Sequence, residues 1–176
     1  MKQKISQIII FLCVAGAVVG LDQWTKAWAI RVLAGGDSIT LIPGVLELTY
    51  VENRGMAFGL LQDGTVFFIV ATAIVLALIV FLLIRLPKTK RMIPFLLIVA
   101  GVTGGAIGNL IDRVFRTFVV DFIYVSVIRF PVFNVADSFV TVGCILLAAL
   151  LLFYYKDDDL KPILSFLKKK EEKSEE

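Results

Sequence analysis

The chain is 176 residues long, 59% hydrophobic and 19% charged, with a mean hydropathy of +0.89. Soluble domains are about 45 to 50% apolar, so a soluble fold is excluded and an integral membrane protein is indicated. The net charge of +3 follows from where the basic residues lie along the chain and requires no nucleic-acid partner.

The first predicted span, Ile5 to Leu21, follows Lys2 and Lys4. That start resembles the basic and apolar regions of a cleavable secretory signal. Against this reading, polar residues follow at once, and the other three spans give an even number only if this one is retained. Asp22, Thr25 and Lys26 share one helical face at its end. They suit either a polar helix end with Lys26 snorkelling to the headgroups or a brace for the outer loops around a site. The connection from Asp22 to Thr65 contains a Pro43-Gly44 turn and the alternating segment Leu46 to Val51, a half-exposed strand.

The second span, Val66 to Ile84, and the third, Ile93 to Ile111, are joined by Arg85-Leu-Pro-Lys-Thr-Lys-Arg91, whose Pro87 and charges stop both helices. They are expected to pair as an antiparallel hairpin. Gly101, Gly104, Gly105 and Gly108 form small-xxx-small pairs that let another helix approach closely. Asn109 and Asp112 follow on one face, placed to hold neighbouring loops, with Arg113 as a candidate ion-pair partner of the acid. The connection from Asp112 to Ser138 includes Thr117 to Val125, rich in β-branched and aromatic residues and a second candidate strand. The fourth span runs from Phe139 to Tyr155, and the charged tail beyond it reads as a solvated extension.

Twelve of the 18 basic residues lie before span one, between spans two and three, or after span four. The positive-inside tendency puts that side, and both termini, in the cytoplasm. The predicted fold is an all-α membrane protein of four transmembrane helices, with a small extracytoplasmic β-sheet formed by the two long outer loops. Residues 1–155 form a single four-span domain and 156–176 a charged cytoplasmic tail. Cys13 and Cys144 are isolated within apolar spans and behave as small hydrophobes. With no histidine in the chain, no zinc site is expected, nor any other metal or organic cofactor.

The acids beside hydrocarbon carry the functional signal. A charged group near the bilayer centre costs roughly 2.5 to 3.5 kcal/mol and marks a functional site by default. Asp121 sits between Val120 and Phe122, and Asp137 opens span four after Asn134. Two carboxyls a few ångströms apart share a proton and supply a base and an acid at one pH, which is what water-mediated peptide hydrolysis needs. The same residues also fit a plainer reading, in which Asn134 and Asp137 cap the fourth helix and Asp121 is a loop acid.

Five segments in order, Asp22-Gln-Trp-Thr-Lys26, Asn53-Arg-Gly-Met-Ala-Phe58, Gly104-Gly-Ala-Ile-Gly-Asn-Leu-Ile-Asp-Arg113, Val119-Val-Asp-Phe122 and Phe133-Asn-Val-Ala-Asp-Ser138, resemble the bacterial lipoprotein signal peptidases. The resemblance covers about Lys4 to Tyr155. It implies a membrane aspartyl peptidase that removes signal peptides from prolipoproteins just before the diacylglyceryl-modified cysteine. Asp121 and Asp137 would be the catalytic pair, Asn53, Asn109, Asp112, Arg113 and Asn134 would line or brace the site, and Asp22 and Lys26 would maintain it. The implied setting is the cytoplasmic membrane, with the site on the outer side, a monomer acting on lipidated substrate among membrane lipids. Met56 and Arg129 depart slightly from the family pattern. Met56, Phe58, Leu60, Leu61, Phe118 and Phe122 are candidates to clamp the peptide and acyl chains.

Three other functions compete. A small proton-coupled carrier or channel would distribute acids through the spans, whereas here they cluster at one end. A non-catalytic assembly subunit would use only the glycine seam. A Ser-Lys peptidase would pair Lys26 with Ser38, Ser126 or Ser138.

Overall fold

Backbone groups in lipid must be satisfied within the chain, so apolar runs of this length become helices. A computed structural model of the chain describes residues 2–55, 64–156 and 158–162. Its helices are α1 (Lys2–Leu33), α2 (Thr65–Arg85), α3 (Ile93–Arg116) and α4 (Val135–Ala149), the last continued by a π-helical turn over Leu150–Tyr154. All four are long and apolar enough to cross a membrane.

The helix α3 is central, packing against α1, α2 and α4, while direct contact between α1 and α2 is sparse. By contrast α2 buries only Ile79 and otherwise faces outward. Close approach to α3 depends on its glycines. A Cβ at Gly104 would lie 2.7 Å from the Ala15 carbonyl oxygen of α1, and one at Gly105 would lie 2.6 Å from that of Ala136 in α4. At Gly108 the added carbon would meet the Asp22 carboxylate, so this glycine admits a polar group as well as a helix.

The helix α1 runs on to Leu33, well past the predicted end at Leu21. The polar segment that breaks the hydropathy run does not break the buried stripe, which continues through Ala15, Val18, Asp22, Lys26, Ala29 and Leu33. These residues are three or four apart and form one helical face. Lys26 is fully buried, so it does not snorkel. Thr25 is half-buried and its hydroxyl bonds back to the Leu21 and Asp22 carbonyls of its own helix, outside the polar cluster.

Three strands form an antiparallel sheet in the order β1 (Ile39–Ile42), β2 (Leu46–Asn53), β3 (Val119–Val125). The first two lie between α1 and α2 and the third between α3 and α4. A turn over Pro43 and Gly44, with Gly44 at φ +70° and Val45 N–H bonded to the Ile42 carbonyl, joins β1 to β2. The pairing of β2 with β3 sets Val51 opposite Asp121 and Asn53 opposite Val119. Val120 and Phe122 pack onto Ala29 and Leu33 of α1, and by strand alternation Asp121 points to the other face. The tail is less free than its charge suggests. Asp159 pairs with Arg91 at 2.9 Å, and Leu160 packs near Leu86 and Met92 at the opposite end of the bundle from Asp22.

Candidate active site

Asn134 is the N-cap of α4, and its bonds set the site's geometry. Its side-chain oxygen accepts from the Asp137 N–H at 2.9 Å, and Asp137 Oδ2 accepts from the Asn134 N–H at 3.1 Å, a complete capping box. The Asn134 amide nitrogen meanwhile donates to Asp121 Oδ1 at 2.7 Å and to Asn109 Oδ1 at 3.1 Å. One buried residue therefore bonds both carboxyls, Asp121 through its side chain and Asp137 through its backbone N–H. The capping reading of Asp137 in the sequence is met by these atoms, and the same residue ties α4 to β3 through Asp121.

The remaining oxygens are held by amides too. Asp137 Oδ1 accepts from Asn109 at 2.7 Å, and Asp121 Oδ2 accepts from Asn53 at 2.8 Å. Amide orientation follows from a donor-only group. The Lys26 ammonium donates to Asn109 Oδ1 at 2.8 Å, which forces the Asn109 nitrogen toward Asp137. Asn109 Oδ1 can then only accept from Asn134, which turns that amide's nitrogen to Asp121 and leaves its oxygen for the helix cap. Asn53 is oriented separately, its oxygen accepting from Gly55 N–H at 3.0 Å.

Beneath this lies a charge cluster that is fully buried at Asp22, Lys26 and Asp112. Lys26 Nζ is 2.9 Å from Asp22 Oδ2 and 3.0 Å from Asp112 Oδ2. Asp22 Oδ1 accepts from the Ala136 N–H at 3.0 Å and Asp112 Oδ2 from the Val120 N–H at 3.1 Å. The cluster thereby fixes the starts of α4 and β3, the two segments that carry Asp137 and Asp121. Asp22 and Lys26 thus stand inside a membrane helix, beyond the predicted end of the first span at Leu21 and at the same end of the bundle as the other acids.

Two sequence expectations fail here. The ion-pair partners of Asp112 are Lys26 and Arg116, the latter one helical turn on. Arg113 instead lies 4.9 Å over the Phe68 ring, bonds the Asn109 carbonyl at 3.5 Å, and is within electrostatic reach of Asp137 and Asp121. Phe122 is buried against Ala29 and Leu33 and meets Trp28 edge-on at 6.4 Å, so it is a core residue and cannot clamp a ligand. Phe118 is half-buried under Arg54. Met56, Phe58, Leu60 and Leu61 lie outside the described residues.

Gln23 was not anticipated. Its amide nitrogen donates to Asp22 Oδ2, Asp112 Oδ1 and the Gly108 carbonyl at 3.1 to 3.2 Å, and its oxygen accepts from Arg116. Its position beside Asp22 was the only hint in the chain. Lys26 bonds Asp22, Asp112 and Asn109, and Ser138 bonds the Asn134 carbonyl, so the geometry offers no Ser-Lys pair at Ser138. Ser38 is exposed in the loop before β1 and Ser126 lies beyond β3. Among the described residues no group of three or more Cys, Asp or Glu is arranged to hold a metal ion.

Electrostatics separates the two acids. Burial raises the Asp121 carboxyl from 3.8 to about 7, and the charge of Asp137 adds to the rise. The amides of Asn53 and Asn134 and the Lys26 charge oppose it. Asp121 is 1% exposed and Asp137 half-buried. The cluster thus places a carboxyl whose hold on its proton is strengthened by burial beside a more exposed one.

Four spanning helices with a carboxyl-rich polar core gathered at one end define a polytopic membrane protein built around buried acids. A profile of the family described as signal peptidase (SPase) II matches residues 14–153. The lipoprotein signal peptidase of Geobacillus thermodenitrificans is 47% identical over 146 residues, spanning 79% of this chain and 87% of that protein. That of Geobacillus kaustophilus is 49% identical over 141 residues, 76% and 87% of the two chains. Two bacterial membrane enzymes solved by the in meso method align with TM-scores of 0.71 and 0.72 at 35% and 36% identity, over 84% and 82% of this chain and 92% and 94% of theirs. The chain belongs to the signal peptidase II family and is a membrane peptidase.

Proposed function

We propose that the protein is an aspartic endopeptidase that cleaves prolipoprotein signal peptides on the N-terminal side of the diacylglyceryl-modified cysteine, with Asp121 and Asp137 as the catalytic pair. The observation that carries this reading is Asn134, whose side-chain nitrogen donates to the Asp121 carboxyl and whose backbone N–H donates to the Asp137 carboxyl. Ionised Asp137 takes a proton from a water molecule, whose oxygen attacks the scissile carbonyl carbon while protonated Asp121 gives its proton to the carbonyl oxygen. In the second step Asp137 passes its new proton to the leaving nitrogen. The C–N bond breaks, and a hydroxyl of the tetrahedral carbon returns a proton to Asp121. The enzyme ends as it began and needs no cofactor.

A substrate anchored by acyl chains stays in the bilayer, so acid-base groups at the end of a membrane bundle suit it. The basic connection between α2 and α3 and the basic tail support a topology with that end, and the sheet, on the extracytoplasmic side of the bacterial cytoplasmic membrane and both termini inside. Residues 1–155 form the peptidase domain, 156–176 the tail, and a single copy supplies every group in the scheme.

The test is cleavage of a diacylated prolipoprotein peptide by purified protein. Asp121→Asn and Asp137→Asn are expected to lose at least about a thousandfold in kcat with helical content unchanged, while Ser138→Ala keeps turnover. Robust cleavage by either Asn variant overturns the acid pair.

A further inference from the structure

We infer that the cleft between α1 and α2, at the end of the bundle away from the acids, binds one anionic glycerophospholipid whose head group carries a hydroxyl, of the phosphatidylglycerol type. The cleft exists because α1 and α2 barely touch and both lean on α3. It holds a cavity of about 130 Å³ walled by Phe11 and Leu12 of α1, Leu83 of α2 and Leu96 of α3, with Gln7 and Lys88 as its polar members. Apolar walls inside a membrane bundle, open between two helices, fit an acyl chain.

The head group is specified by the two polar members. Gln7 is 6% exposed on a helix surrounded by hydrocarbon, an expensive place for an amide. Its nitrogen donates to the Thr89 carbonyl at 3.4 Å, and since that carbonyl can only accept, the amide oxygen is turned the other way. That oxygen is buried and has no partner among the described residues. A buried acceptor of this kind requires a donor, and a head-group hydroxyl supplies one where a choline cannot. The Lys88 ammonium, which also bonds the Leu83 carbonyl at the end of α2, brings positive charge to the cavity, and Arg85 and Lys90 flank it in sequence. A phosphodiester meets that charge.

This site is separate from the acid site and does not depend on its chemistry. Full-length protein in detergent is incubated with phosphatidylglycerol, phosphatidylmethanol or phosphatidylcholine, and lipid retention is read by native mass spectrometry. Phosphatidylmethanol is anionic with no hydroxyl, so it isolates the Gln7 contribution. Wild type is expected to retain phosphatidylglycerol over phosphatidylmethanol by about tenfold, the weight of one hydrogen bond to an otherwise unpaired buried acceptor. Phosphatidylcholine should bind least. Gln7→Met, nearly isosteric, should abolish the first difference, and Lys88→Gln should bring both anionic lipids to the phosphatidylcholine level. Peptide cleavage by both variants should match wild type and reports that they fold. Equal retention of phosphatidylglycerol and phosphatidylmethanol by wild type, or a preference untouched by both substitutions, overturns the site.

Discussion

Two pairs of aspartates share the polar interior of this bundle, and they are held by different kinds of partner. Asp22 and Asp112 are bound by cations: Lys26 bridges both, and Arg116 pairs with the second. Asp121 and Asp137 are bound by amides, from Asn53, Asn109 and Asn134, and by the backbone of the helix cap. A carboxyl beside a buried ammonium is held by a fixed charge that cannot leave without exposing an unpaired ion to the interior. A carboxyl held by neutral amides keeps its orientation yet can gain or lose a proton. The contrast separates acids tied to cations from acids oriented by neutral amides.

The largest expected effect of disturbing this contrast comes from Lys26→Met. Removing the ammonium leaves two buried carboxyls with one partly exposed arginine, which reaches only Asp112, and breaking a buried pair costs about 3 to 5 kcal/mol. It also frees the Asn109 amide to flip. Thermal unfolding in detergent should show the loss, and peptide cleavage should fall with it. The reverse sign is expected at the other pair. The folded protein holds the Asp121 proton up to about 7 against an ordinary 3.8. Between those values the folded state binds more protons than the unfolded state, so stability falls as pH rises across the window and stays lowered above it. Asp121→Asn removes that cost. At pH 8 the variant should be more stable than wild type by about 2 to 4 kcal/mol, less whatever its new amide loses against Asn53 and Asn134. The gain should vanish below pH 4, and unfolding curves at the two pH values check it.

A smaller effect concerns rate. If protonated Asp121 serves as the acid, kcat/KM should decline as pH passes about 7, a decline that a fixed-charge role for Asp121 would not produce. Smallest is Arg116→Gln. Its guanidinium is 29% exposed, and Lys26 and Gln23 still serve Asp112, so a loss of about 1 kcal/mol or less is expected by chemical denaturation.

Much of this was legible in the chain. Acids at the edges of apolar runs had to be either ruinous or useful, and that located Asp112, Asp121 and Asp137. The helix-cap pattern located Asn134. Asn53 had no local signal and came only through the family resemblance, because its role depends on β2 pairing with β3. The extension of α1 to Leu33 was missed because hydropathy falls at Asp22, although the three-and-four spacing of Ala15, Val18, Asp22, Lys26, Ala29 and Leu33 continues unbroken. Arg113 was favoured over Arg116 by adjacency, whereas the helical period puts Arg116 over Asp112. The short strand β1 escaped notice because four residues before a turn show too little alternation to register.

Asn134 stands near the beginning of the last helix, and its consequence is one of timing. A ribosome delivers α1, the first two strands, α2, α3 and Asp121 before this residue exists. Until the final segment enters the bilayer, Asp121 has the Asn53 amide but lacks that of Asn134, and the Asp22 carboxyl lacks the Ala136 N–H. A half-made chain therefore carries every earlier component of the cluster but not the residue that ties Asp121 to the start of α4, so the polar core closes only when biosynthesis is complete.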